Sequence, residues 1–451
     1  MAEFSLVQFK YRKTIPLSVP YLAYGLENAN IDFDLKIFDV GRFFEPGTGR
    51  VNAFYELLTD TEEVIALGCF SDVLPYAIAA LRKIKEEFPE KVIILGGVGP
   101  SSTAAEIMEA FDFVDFIIKG CGITPLPLLI QALRENPPQF GHVPRLLYRN
   151  EDRKICATED DHHETTPMLP AYNKMGDMGE YDRFLIKTST GCPYRCTFCY
   201  ALPAAGRNVK YRDIGEVIEE IGFVKKMNGE KDFVLRILDE AFVYNRKRVI
   251  KFCELLKSEN LEVRWVCYGR IDRMDEDLLK IMADAGCVEI YYGVESGSNR
   301  ILNLIRKGFS TEESIRIVLL SKKYIPGVTT SFIYRFPFET LADFKETVFA
   351  IRYLQMKGIT TQLHPLVPVR NSRIYSEYSK QLLVTENEPL DYLLSESLTF
   401  LPKECIDLVK SNPDVFYDYG HYIPSELDLI NELISKNRDA IYTNVHNYWI
   451  F

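Results

Sequence analysis

The sequence predicts an α/β protein built from an N-terminal doubly wound, Rossmann-like domain, a partial (β/α)6 barrel and a helical C-terminal segment. Three observations predict it. Short β-rich apolar runs occur without strict alternation, as in parallel strands buried on both faces. Helix-length amphipathic stretches separate them, which is the strand–helix rhythm of α/β folds. A Pro-rich, polar break then divides the rhythm in two.

In order, strand-like runs fall at residues 4–9, 35–40, 64–69, 92–95 and 114–118, with helical stretches at 21–30, 76–88, 103–111 and 126–135. This set defines a domain at 1–140, whose ligand edge lies at the carboxyl ends of the strands. Residues 141–180 read as a linker: Pro137 and Pro138 precede it, a polar run crosses 159–166, Pro167 and Pro170 close it, and one small hairpin (144–148, 154–157) fits inside. Alternation resumes at 181–375. Strands are expected at 184–189, 233–238, 263–267, 288–293, 329–333 and 361–364, and helices at 214–227, 246–258, 276–285, 311–323 and 341–356. Six strand–helix steps suit a partial barrel, with its chemistry at the C-terminal strand ends. Residues 376–451 look helical and aromatic-rich (Phe416, Tyr417, Tyr419, Tyr422, Trp449) and are expected to pack across the barrel mouth.

Composition narrows the function classes. Of 451 residues, 47% are hydrophobic and 26% charged, ordinary for a soluble domain protein, and the net charge of −11 argues against extended nucleic-acid contact. The N-terminus reads as a strand rather than a signal peptide, and no run of about twenty apolar residues suggests a membrane span. The expected location is the cytoplasm. Seven of the ten cysteines are scattered, as small buried hydrophobes are; three cluster at 192, 196 and 199.

That cluster, Gly191-Cys-Pro-Tyr-Arg-Cys-Thr-Phe-Cys-Tyr200, follows the first barrel strand. A [4Fe–4S] cluster usually takes four thiolates. The spacing C-x3-C-x2-C supplies three from one loop, leaving one iron open to an external ligand, the mark of a catalytic rather than structural metal site. A zinc knuckle completed by a distant ligand, His162 or His163, is the competing reading of the same residues.

The triplet, Phe198 before its last cysteine, and the six-unit α/β pattern resemble the radical S-adenosylmethionine (SAM) superfamily. The resemblance implies that Cys192, Cys196 and Cys199 hold a [4Fe–4S] cluster, that SAM chelates the open iron, and that its reductive cleavage yields a hydrogen-abstracting adenosyl radical. It implies an electron donor such as flavodoxin or ferredoxin, and places Phe198 beside the adenine. Successive strand ends carry further family-like segments. In Leu238-Asp-Glu-Ala-Phe242, Asp239 and Glu240 would face the SAM amine. In Trp265-Val-Cys-Tyr-Gly-Arg270, Arg270 would hold its carboxylate. In Gly293-Val-Glu-Ser-Gly297, Glu295 and Ser296 would contact ribose or methionine.

Paired with this barrel, residues 1–140 resemble the cobalamin-binding domain of the cobalamin-dependent subgroup, which includes many C-methyltransferases. The carrying segments are Pro20-Tyr-Leu-Ala-Tyr24, Leu67-Gly-Cys-Phe-Ser71 and Leu95-Gly-Gly-Val-Gly-Pro-Ser-Ser102. Gly96 and Gly97 would let the backbone approach a planar ligand closely, and Ser71, Ser101 and Ser102 would hydrogen-bond its amides. No Asp-x-His-x-x-Gly occurs, which is expected for this subgroup. The chain departs from the family at Gly120-Cys-Gly-Ile123, at Arg335-Phe-Pro-Phe-Glu-Thr340 and at Pro368-Val-Arg-Asn-Ser372, where Gly-rich motifs are common. Arg335 and Phe338 are expected to narrow the active mouth or touch substrate.

The leading functional expectation is cobalamin-dependent C-methylation of a peptide or natural product. The alternative is radical hydrogen return, as in peptide epimerases, which requires a thiol donor: Cys405 first, Cys267 and Cys287 after it. A tRNA-modifying enzyme fits the acidic balance poorly, and a redox sensor would not need a barrel. His364, ending the sixth strand, could serve proton transfer; His421 and His446 lie among aromatics.

Overall fold

The computed structural model describes residues 3–44, 51–159, 170–199, 207–229, 231–370, 372–383 and 401–436. Trp449, His446, His162 and His163 lie outside them. The chain forms two compact units, Met1–Tyr181 with Leu398–Tyr417, and Asp182–Ser397 with Asp418–Phe451.

The first unit holds a seven-stranded sheet of β1 (Ser5–Lys10), β2 (Asp34–Asp39), β3 (Val64–Gly68), β4 (Val92–Gly96), β5 (Phe116–Ile118), β6 (Leu146–Arg149) and β7 (Ile155–Ala157), in the order β2-β1-β3-β4-β5-β6-β7. All five predicted strands are present, and β1 to β5 run parallel. The inner strands β1, β3, β4 and β5 are buried on both faces because they are largely apolar on both, whereas the edge strand β2 is mostly half-exposed. Phe4 and Leu6 pack with Leu26, Ile94 and Leu129 on one side; Phe9 meets Phe38, Phe43 and Phe54 on the other, with Phe43 stacked on Tyr76 at 4.2 Å. The order 2-1-3-4-5 puts the switch point, where such sheets take ligands, between the C-terminal ends of β1 and β3.

The hairpin assigned to a linker is instead the edge of this sheet. β6 pairs antiparallel with β5 (Phe116 with Tyr148) and β7 with β6, covering the polar edge that three-residue β5 would otherwise expose. A helix at Asn52–Thr59 was not foreseen, because its apolar positions lie close to loop-like sequence.

The second unit holds the partial barrel: β8 (Arg183–Ile186), a ladder of β9 (Ser189–Thr190) and β10 (Lys210–Tyr211), then β11 (Val234–Ile237), β12 (Arg264–Gly269), β13 (Cys287–Glu295), β14 (Gly327–Tyr334) and β15 (Thr360–Pro365). The six parallel strands run in the order β15-β14-β13-β12-β11-β8, which is sequential winding, and all six were predicted. The helices Ile214–Met227, Arg246–Ser258 and Leu341–Met356 keep their predicted bounds because each begins at a side-chain cap: Asp213, Asn245 and Thr340, the last closing a capping box with Asp343.

The C-terminal segment is not one cap over the barrel. Its helix Lys403–Ser411 belongs to the first unit, where Glu404 pairs with Lys83 at 3.0 Å. Its helix Leu427–Lys436 belongs to the second, beside helix Leu341–Met356, whose Leu341 N–H donates to Glu426 at 2.8 Å.

Candidate functional site

The cysteine loop leaves β9 at Gly191, whose φ of +100° and close approach to the Asn208 carbonyl suit glycine alone. Cys192, Cys196 and Cys199 are half-buried thiols, none in a disulfide. The loop is tied down on both sides: Thr197 N–H donates to the Ile305 carbonyl at 3.2 Å, and Ile374 N–H to the Thr197 carbonyl at 3.0 Å. Burial raises the Cys192 thiol above its ordinary value, while a Tyr194 backbone N–H and the Arg270 guanidinium pull it down. Three thiols on one anchored loop match the soft-donor chemistry of an iron–sulfur cluster. Among the described residues no three His, Cys, Asp or Glu side chains already converge as ligands of one ion, so the fit rests on donor chemistry and loop placement.

Arg270 ends β12 beside this loop. Its guanidinium lies 3.5 Å from the Tyr194 ring centre and 4.0 Å from Cys196 Sγ, pairs with Asp272 at 2.6 Å, and donates to the Lys307 carbonyl. It is thus tied to the cysteine loop and to the turn that follows β12. Tyr194 also accepts from Arg273 Nε at 2.7 Å and meets Tyr244 edge-on. Sequence reasoning missed Tyr194, Arg273 and Tyr244; the signal was an aromatic between two cysteines.

The strand-end carboxylates are fasteners. Asp239 is 1% exposed and accepts from Thr188 N, Thr188 Oγ1 and Ser189 Oγ at 2.6, 2.5 and 2.6 Å. Burial raises its pKa, partly offset by those donors. Asp239, expected to face the SAM amine, thus spends three of its acceptor sites on the segment that joins β8 to β9. Glu240 accepts from Lys187 at 2.7 Å and Gly191 N–H at 3.2 Å, at the root of the cysteine loop. Glu295 sits at φ +73° on a bulge in β13 and pairs with buried Lys307 at 3.1 Å. Ser296 is fully buried and bonded to Thr347 Oγ1 at 3.1 Å, so the structure makes it a packing residue rather than a ligand contact.

Phe198 is half-exposed, edge-on to Phe336 at 6.1 Å; Phe336 stacks on Phe338, and Phe338 meets Tyr378. Arg335 is another correction. It is 1% exposed at φ +68° and reaches Asn431 at 3.4 Å, so it holds the C-terminal helix rather than lining a mouth.

The thiols proposed for hydrogen return are poorly placed for it. Cys405 is fully buried in the first unit, on helix Lys403–Ser411, and burial raises its pKa. Cys267 and Cys287 are buried and near Cys253 of helix Arg246–Ser258, on the helix-covered side of the sheet.

In the first unit, Ser71 is half-exposed just past β3, between Phe70 (47% exposed) and Asp72. Val98, past β4, is 60% exposed. Tyr11 bonds Asp72 at 2.6 Å across the β1/β3 switch point, a pair the sequence did not reveal. Gly97 has φ +92°, and a Cβ there would lie 2.6 Å from the Cys69 carbonyl, so it serves loop packing. A Cβ at Gly96 would make only an ordinary contact, 3.8 Å from the Ile118 carbonyl. Ser101 donates to the Gly97 carbonyl at 2.5 Å and accepts from Gly120 N–H at 2.9 Å; Ser102 donates to the Gly99 carbonyl. Both hydroxyls are used within the loop, whereas the Ser71 side chain has no bond among the described residues.

No helix among the described residues is long and apolar enough to cross a membrane. The radical SAM superfamily model matches residues 186–351. A Pyrococcus horikoshii protein named an uncharacterized methyltransferase is 28% identical over 377 residues, covering 77% of this chain and 80% of that one. The fold resembles the radical S-adenosylmethionine methyltransferase TsrM from Kitasatospora setae (TM-score 0.67, 15% identity, 97% of this chain and 89% of that one). It also resembles the cobalamin-dependent S-adenosylmethionine radical enzyme OxsB (TM-score 0.66, 19% identity, 98% and 68%). The matched span runs from the end of β8 through β14 and holds the three-thiol loop, so the chain carries a radical SAM domain.

Proposed function

We propose that this enzyme is a cobalamin-dependent methyltransferase acting on a carbon of a peptide or small-molecule natural product. The observation that carries the reading is the pairing, in one chain, of the three-thiol loop with a doubly wound sheet whose ligand edge is dressed for a broad flat ligand. At that edge Phe70 and Val98 offer exposed apolar surface and Ser71 a hydroxyl without a partner among the described residues. Exposed apolar groups beside polar ones mark a binding surface. A corrin, with an apolar face and an amide rim, suits this set. The methyltransferase names of the P. horikoshii relative and of TsrM, and the cobalamin dependence in the name of OxsB, support the same reading.

Bound in these sites, a [4Fe–4S] cluster with SAM supplies hydrogen-abstracting radical chemistry and cobalamin a transferable methyl group. The chain's own residues do the positioning. Cys192, Cys196 and Cys199 would hold the cluster. Arg270 and Tyr194 brace the loop and place a positive charge beside its sulfurs. Glu240 fixes Gly191 where the loop begins, and Asp239 fixes the end of β8 beneath it. Phe198 turns an exposed ring edge from the same loop, available to a planar base. A one-electron donor such as flavodoxin or ferredoxin belongs to this reading.

The test is anaerobic purification with cobalamin supplied, followed by an absorption spectrum and a SAM-cleavage assay. Iron–sulfur and corrinoid bands together are expected. An iron–sulfur band with no corrinoid removes the methyltransferase reading and leaves radical chemistry of another outcome.

A further inference from the structure

The barrel strands sort their side chains by parity. Along β11, Leu235, Ile237 and the following Asp239 are buried, whereas Val234, Arg236 and Leu238 are half-exposed. Along β13, Ile290, Tyr292 and Val294 are buried, whereas Glu289 and Tyr291 are half-exposed. The buried set meets the helix layer: Trp265 packs edge-on to Phe252 of helix Arg246–Ser258. The half-exposed set therefore lines the other, concave face of the sheet. Register carries that face across the strands, Arg236 level with Val266 and Tyr268 level with Tyr291.

Arg236 and His364 Nδ1 on this face lack hydrogen-bond partners among the described residues. Arg236 makes no hydrogen bond or ion pair among the described residues. The carboxylates of the same face are engaged elsewhere: Glu240 with Lys187, Glu289 with Thr329 Oγ1 at 2.7 Å, and Glu295 with Lys307. At the far side, Gln362 Oε1 accepts from Tyr291 O–H at 2.9 Å and lies 3.3 Å from His364 Nε2. That network assigns the ring proton to Nε2 and makes Nδ1 an acceptor. Nδ1 is buried and has no partner among the described residues. Burial lowers the His364 pKa to about 4, so the ring stays neutral near pH 7. Between these groups Tyr268 and Tyr291 stand edge-to-face at 5.4 Å and present ring surface.

A guanidinium offers five donors in a planar fork that matches an oxyanion bidentately. Left half-buried without an acid, it implies that the acid arrives with the ligand. We propose that the concave face of the barrel binds the substrate through an oxyanion, a carboxylate or phosphate, seated on Arg236, with an unsaturated, flat part of the substrate against Tyr268 and Tyr291. The acceptor at His364 Nδ1 takes an N–H or O–H from the distal end. This rests on the reading of the chain as a radical enzyme whose substrate enters the barrel, and it narrows the substrate class to planar organic acids or phosphate esters.

The experiment is a calorimetric titration of anaerobically reconstituted protein with benzoate, phenyl phosphate and benzamide. The wild type is expected to bind one of the two anions about tenfold or more tightly than benzamide, which shares the ring without the charge. The tighter anion identifies carboxylate or phosphate as the group recognised. Arg236→Gln should bind all three alike, Arg236→Lys should keep part of the preference, and benzamide binding reports that the fold survives in both. Equal affinities in the wild type overturn the proposal, as does a preference that Arg236→Gln retains. Iron–sulfur absorbance and 5′-deoxyadenosine release by the wild type test the radical reading separately, so the two can fail independently.

Discussion

Replacing Asp239 separates two roles for a carboxylate at the end of the second barrel strand. Asp239 is buried and accepts three short hydrogen bonds from Thr188 and Ser189. Hydrogen bonds to a charged acceptor contribute about 1.5–3 kcal/mol each, and a stranded buried donor costs about 1–3 kcal/mol. Asn keeps one acceptor oxygen, and the two hydroxyls can rotate to accept from its NH2, so Asp239→Asn should cost about 2 kcal/mol. Ala strands three donors, and Asp239→Ala should cost about 3–5 kcal/mol. Because Thr188 and Ser189 lead directly into Gly191, the damage should appear as reduced cluster loading. The assay is denaturant unfolding of the apoprotein together with the iron content after anaerobic reconstitution. A residue that held the SAM amine would behave differently, with SAM affinity falling while apoprotein stability and iron content stayed normal. That outcome would refute the fastening role and restore the contact expected from sequence.

Three further outcomes follow from local geometry. Burial raises the Glu339 pKa to about 8, so its neutral form favours the folded state; that contribution is complete below the ordinary carboxylate range and lost as pH rises toward 8. Glu339→Gln should flatten the fall in urea midpoint between pH 5.5 and 8.5, and an unchanged slope would contradict the shift. Gly97→Ala places a Cβ 2.6 Å from the Cys69 carbonyl at φ +92°, and should destabilise the first unit by about 1–3 kcal/mol and cut corrinoid retention, measured by thermal melting and by absorbance after gel filtration. Cys405→Ala should cost about 1 kcal/mol through lost packing and leave 5′-deoxyadenosine formation intact; loss of turnover at normal stability would return this thiol to the chemistry.

The barrel was legible because its strands and helices agree with their local sequence: capped helices, β-rich runs and a cysteine triplet at one strand end. The first sheet was legible for the same reason, except at its edge, where a short hairpin between Pro-rich stretches looks like a linker until β5 needs a partner. The roles of individual polar residues were less legible. Asp239, Glu240 and Arg270 lie at the strand ends where ligand contacts were expected, yet their bonds run to Thr188, Gly191 and Tyr194. A sequence shows that a charge stands at a strand end; only the fold shows that a neighbouring backbone has already claimed it. Arg335 was misread likewise, since its partner Asn431 lies 96 residues away.

The same distinction bears on where the substrate is recognised. Around the cysteine loop the buried and half-buried charged side chains are committed: Asp239 to the segment after β8, Glu240 to the loop root, Arg270 to Tyr194 and Asp272, Glu295 to Lys307. Such mutual pairing makes a rigid ring of strand ends, suited to holding a cluster in one geometry. It leaves little charge there to discriminate one substrate from another. Among the described residues, Arg236 and His364 Nδ1, on the half-exposed face of the strands themselves, are uncommitted. The half-buried Arg236 guanidinium has no hydrogen-bond partner among the described residues, whereas Asp239, Glu240, Arg270 and Glu295 at the rim are all paired. Rigidity at the strand ends and recognition along the strand faces are therefore divided between different residues, and changes to Arg236 should alter which ligand binds without altering how the cysteine loop is held.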